Sequence, residues 1–112
     1  VHDEQELATA STRRLPPEAL AGLREAFAAE LAERLPRLRQ AVDSGDDVLL
    51  RQAVRDAHSL GSSAAVVGEA DASRTARAAE ALLAERPGGA PVPPDLVSRV
   101  DELASCLAGW RP

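Results

Sequence analysis

The fold is decided between Asp46 and Glu80, DDVLLRQAVRDAHSLGSSAAVVGEADASRTARAAE. At about 100° per residue around a helix, Leu50, Val54, Ala57, Leu60, Gly61 and Ala64 gather on one side and define a buried stripe. His58 falls at the edge of that stripe, half supported by the core and half open to solvent. Arg51, Arg55, Ser62 and Ala65 share its flank. The neighbours of this imidazole are cationic or very small, so the site tolerates an anion and lets another protein come close. Gly68 breaks the helix. A second helix follows from Ala70 to Arg86, with Ala72, Ala76, Ala79 and Leu83 as its apolar line. Small side chains there let two helix backbones approach closely.

The rest of the chain continues the helical pattern. Upstream, Leu15-Pro16-Pro17-Glu18 is a helix-start signal, because proline is pre-organised for the first turn and an acid suits the positive end of the dipole. Leu20, Leu23, Phe27, Leu31, Leu35, Leu38 and Val42 then recur at steps of three and four. Pro36 lies inside this run and predicts a kink or local break near residues 33–35, because it removes a backbone donor. Gly45 is the expected left-handed terminator and Asp46 the expected N-cap of the next helix. Downstream, residues 87–94, PGGAPVPP, form a non-helical connector. Leu96, Val100, Leu103, Leu107 and Trp110 give the seam of a last helix starting near Pro94. Cys106 beside that seam is expected to be partly buried and inert.

Composition agrees. Hydrophobic residues make up 45% of the 112 residues but aromatics only 2%, so the core is built from Leu, Val and Ala. Alanine is the best helix former and β-branched residues are scarce, which argues for an all-α fold. The pattern predicts one domain over residues 1–112. It consists of an antiparallel up-down-up-down four-helix bundle over 16–112, preceded by a short helix or arm over 1–14. His2 falls in that arm and receives no role.

Charge and chemistry narrow the function. A net charge of -5 argues against binding a nucleic-acid backbone. No apolar run approaches membrane-span length, and a single Cys fits a reducing compartment, so the cytoplasm is expected. Two His and one Cys, far apart in sequence, offer no metal-ligand spacing. No glycine-rich phosphate loop is present, and Asp56 and His58, two apart, face different ways on a helix.

The spacing around His58 resembles the signature of the histidine-containing phosphotransfer (HPt) domains of bacterial phosphorelays. Their pattern is His-x-Leu-Lys-Gly-Ser-x-x-x-x-Gly in mid-helix, followed by an Ala/Leu-patterned helix. The matching residues are His58, Leu60, Gly61, Ser62, Ser63, Ala64, Ala65 and Gly68. Residues 27–42, FAAELAERLPRLRQAV, are similar to the family's opening helix. The family's Lys is Gly61 here, and the family's following Gly is Ser62.

The resemblance implies that His58 is the phosphoacceptor of a phosphorelay intermediate. It would take a phosphoryl group from a receiver-domain aspartate and pass it to another receiver. Arg51, Arg55, Gly61, Ser62 and Ala65 would support phosphate or partner contact. Arg51 and Arg55 are candidate substitutes for the missing Lys, and Ser62 is a candidate donor to a phosphoryl oxygen. The partners implied are response-regulator receiver domains and a hybrid histidine kinase, with the chain a monomer and no nucleic acid or membrane involved. No cofactor is implied for the chain itself, since the Mg²⁺ belongs to the receiver. At most the chain is a phosphotransfer carrier, with no ATP hydrolysis or kinase activity of its own. The alternative is a pseudo-HPt helical module that docks a receiver or kinase without being phosphorylated. A weaker option is a helical oligomerisation domain.

Overall fold

The structure is a computed structural model and describes residues 15–112; the arm expected over residues 1–14 lies outside the described residues. Four helices and no strands are found among them: α1 Pro17–Ser44, α2 Asp47–Val66, α3 Ala70–Glu85 and α4 Pro94–Leu107.

The helix boundaries follow local chemistry. Pro17 opens α1 with Glu18 in its first turn. Gly45, at φ 69°, closes α1 in the left-handed region, and its N–H bonds to the carbonyl of Ala41. Asp46 caps α2 by accepting from the Leu49 N–H. Gly68, at φ 83°, turns the chain from α2 into α3, its N–H bonding to the carbonyl of Ala65.

Pro36 does not end α1, contrary to the expected break: the helix runs through it as one element. Pro36 and Ala32 are both exposed. The carbonyl of Ala32, which the proline deprives of its helical donor, can therefore be satisfied by solvent.

The largest fully buried apolar side chains are Phe27, Leu38, Leu60, Leu96, Val100 and Leu103, contributed by all the described helices but α3. Helix α3 instead brings Ala72, Ala76 and Ala79 to the core, and α2 meets it with Ala53, Ala57, Gly61 and Ala64. Large side chains would hold these two helices apart. Small ones let them share the most extensive interface among the described helices. Leu23, expected in the core stripe of α1, is 37% exposed. Cys106 is exposed, not partly buried, because Leu103 and Leu107 take the core-facing positions of α4.

Candidate functional site

His58 stands in mid-α2 with its side chain 68% exposed, more open than the half-buried position expected from the helical wheel. Its neighbours in sequence, Ala57 and Leu60, are buried, so the backbone beneath the ring is fixed by the core. From α3, Glu80 reaches across and places Oε2 2.9 Å from Nδ1 of His58. Glu80 is itself 28% exposed, at the margin of the α2–α3 interface. In the neutral ring this contact selects the tautomer in which Nδ1–H donates to the carboxylate, leaving the Nε2 lone pair outward.

The other sequence-derived candidates divide. Arg51, Arg55 and Ser62 are exposed. Arg51 and Arg55 line a cleft of ≈ 520 Å³ shared with Leu83 and Arg86 of α3 and its following turn. Ser62 and Ser63 line a smaller cavity of ≈ 200 Å³ between α1 and α2, with Leu23, Phe27 and Val66. Gly61 and Ala65 are buried and offer no surface. Gly61 faces α3, where Ser73 donates to its carbonyl at 2.8 Å. Ala65 lies in the last turn of α2, where the 67–69 turn folds back and the Gly68 and Glu69 N–H groups bond to the carbonyls of Ala65 and Ala64.

Two polar groupings under the site were not singled out from the sequence. On the α1 side, Glu30 accepts from Ser59 and from Ser63, and pairs with Arg34 at 3.1 Å. Next to it the buried Asp56 accepts from Arg34 at 2.7 Å and from Arg37 at 2.7 Å. The hydrogen bond that Arg37 donates to Asp56, and then the charge of that carboxylate, raise the Arg37 pKa above the usual guanidinium value. A carboxylate buried this deeply is tolerated because two guanidinium groups offset its desolvation. The apolar-stripe reading had no signal for Asp56. An acid two residues before the histidine, facing Arg34 and Arg37 of the previous helix, becomes visible only once α1 and α2 are packed. Glu80 had the same defect: its partner is 22 residues away. Among the described residues no group of three or more His, Cys, Asp or Glu is arranged to hold a metal ion.

The Hpt domain family matches residues 22–110, nearly the whole described chain. The chain belongs to the Hpt domain family. Hpt domains carry out histidine phosphotransfer in two-component phosphorelays and interact there with receiver domains and histidine kinases. Comparison with curated proteins and with solved structures gives no significant match. An Hpt domain with an all-helical fold is what the resemblance around His58 implied.

Proposed function

We propose that the chain is a phosphorelay intermediate in which His58 accepts a phosphoryl group from the aspartyl phosphate of one receiver domain and delivers it to another. The observation that carries this reading is the Nδ1–Glu80 contact on a side chain that is 68% exposed. It orients the ring and leaves Nε2 as the nitrogen available to a partner.

The step balances without any group beyond the partner's. The Nε2 lone pair attacks phosphorus and an N–P bond forms. The P–O bond to the receiver's aspartate breaks, and the aspartate leaves as a carboxylate. The ring, now carrying positive charge with its proton on Nδ1, is stabilised by the Glu80 carboxylate facing that proton. Return transfer to a second receiver reverses these events. The Mg²⁺ that offsets charge on the phosphoryl oxygens belongs to the receiver.

An up-down-up-down order of the four helices supports presentation of His58 to one side. Contacts that pair rising residue numbers on one helix with falling numbers on the next support that order. Asp47 meets Arg86, His58 meets Glu80 and Gly61 meets Ser73 between α2 and α3. Arg37 meets Asp56 and Glu30 meets Ser63 between α1 and α2. In this reading the chain works as a monomer in the bacterial cytoplasm, without nucleic acid or membrane contact. No described helix is long and apolar enough to cross a membrane.

The second reading, a module that docks a receiver or kinase without taking phosphate, draws on Gly61. This buried position presents no cation, where the family has Lys. Incubation with a ³²P-phosphorylated receiver separates the two. The relay reading expects acid-labile, base-stable label on the wild-type chain and none on His58→Gln. A stable complex that never acquires label establishes the docking module instead.

A further inference from the structure

Gly61 leaves a gap that another residue fills. A Cβ built on it would lie 3.2 Å from Cγ of Arg77, 3.5 Å from Cβ of Ala76 and 3.6 Å from the carbonyl oxygen of Ser73. The stem of an arginine from α3 therefore lies against α2 at the position where a side chain is missing. Arg77 stands three residues before Glu80 on α3, and Gly61 three residues after His58 on α2. The Arg77–Gly61 contact is thus one turn from the Glu80–His58 contact, roughly 4.5 Å along the helix axis. Beyond Cγ an arginine has four further bonds of about 1.4 Å each to its terminal nitrogens, which spans that distance.

We propose that Arg77 supplies, from α3, the cation that faces a phosphoryl group on Nε2 of His58, and that Gly61 is small so that Arg77 can lie against α2 there. This rests on the phosphoacceptor role given to His58 above. A phosphoryl group brings nearly two negative charges beside the Glu80 carboxylate. A planar guanidinium can donate to two phosphoryl oxygens at once and is never neutral. Arg51 and Arg55 open instead into the cleft beside Leu83 and Arg86, on the far side of Glu80 along α3. A lysine introduced at Gly61 would press on the Arg77 stem, which would have to give by a few tenths of an ångström to admit it.

The test uses the whole chain and phosphoramidate, a small donor that phosphorylates histidine without a partner protein. Phosphate on His58 is confirmed by mass spectrometry, and the second ionisation of the phosphoryl group is followed by ³¹P NMR across pH. A nearby cation favours the doubly charged form. Arg77→Gln keeps the stem over Gly61 and removes the charge. It should raise that ionisation by half to one pH unit, a factor of about 3 to 10 in acidity. Arg77→Lys should stay within about two-fold of wild type, and Arg55→Gln should leave the value unchanged. Arg77→Met, which also keeps the stem, replaces Arg77→Gln if the latter does not give a native circular dichroism spectrum. An unchanged ionisation in the neutral variant overturns the proposal, as does a shift seen with Arg55→Gln instead. If phosphoramidate labels His58 and the shift appears while no receiver transfers phosphate, the relay reading fails and the Arg77 assignment stands. If receivers transfer and the shift is absent, the reverse holds. Failure of both donors to label His58 overturns both.

Discussion

His58 Nδ1 and Glu80 Oε2 lie 2.9 Å apart across the α2–α3 interface, with the imidazole far more exposed than the carboxylate. The more enclosed partner holds the more open one. That geometry fixes the ring without burying it, and in the proposed relay it places a negative charge where the ring would acquire a positive one. Removing the carboxylate should slow the step more than it disturbs the fold. A hydrogen bond to a charged group contributes about 1.5–3 kcal/mol. Glu80→Ala should therefore lower the rate of transfer from a phosphorylated receiver by roughly 10- to 100-fold. Glu80→Gln can still accept from Nδ1–H but carries no charge, and should fall between. Stopped transfer reactions resolved on gels give the rates. Equal rates in wild type and Glu80→Ala would remove Glu80 from the mechanism.

The connector between α3 and α4 is tied to the start of α2 by one carboxylate. Asp47 accepts from Arg86 at 2.8 Å and from the Gly89 N–H at 3.0 Å, and the Arg86 side chain is only 6% exposed. The hydrogen bond from Arg86, followed by that from Gly89, lowers the Asp47 pKa below its ordinary 3.8. A carboxylate with a lowered folded-state pKa stabilises the native chain fully above its unfolded value. The contribution disappears as pH falls through the lower, folded value. Asp47→Asn should thus melt at a lower temperature than wild type at neutral pH. The gap should narrow below about pH 4 as wild-type Asp47 takes up its proton. Thermal melts followed by circular dichroism at several pH values measure it, and a gap that stays constant down to pH 2 would contradict the assignment.

Much of this architecture was legible because it depends on local rules. Gly45 and Asp46 mark the α1–α2 junction through backbone conformation and a cap that need only neighbouring residues. The core stripe of α2 follows from 3.6-residue periodicity, which Leu50, Ala57, Leu60 and Ala64 obey. The local break that was one of the two expected effects of Pro36 does not occur, because the cost of a proline depends on whether the carbonyl it orphans faces water, and periodicity alone did not weigh that. Ala65 was placed on the open flank of His58 by its angle around the helix. The turn that covers it lies beyond the end of α2. The site itself was half legible. His58 emerges from spacing within one helix, but Glu80, Arg77 and the Asp56 cluster act between helices, and their register is set by how closely alanine-rich faces pack. No pattern in a single segment encodes that distance.

Phe27 and Trp110 make the one aromatic contact among the described residues, and it secures the C-terminal end of the chain. Their ring centroids are 5.0 Å apart with planes at 83°, an edge-to-face arrangement. Trp110 follows the end of α4, and its indole N–H donates to Glu69 Oε1 at 2.9 Å. Arg24 stacks over the indole at 5.0 Å and donates to the carbonyl of Arg111 at 2.9 Å. These contacts draw residues 110–112 onto α1, using a tryptophan where the helix has already ended. Phe27 is 2% exposed and is the only large aromatic in a core otherwise built of aliphatic side chains. Truncating it leaves a cavity that short neighbours such as alanine cannot fill, so Phe27→Ala should cost about 3–5 kcal/mol of stability. Phe27→Leu keeps most of the volume and should cost less, about 1–2 kcal/mol. Trp110 is the only tryptophan in the chain, so the fluorescence comes from this one place in the fold. Urea titrations followed at Trp110 give both quantities, and Phe27→Ala should also shift the native emission to longer wavelength as the indole loses its cover. A loss under about 1 kcal/mol, with native emission unchanged, would show that the ring pair does not anchor the C-terminal segment and that α1 holds it through Arg24 instead.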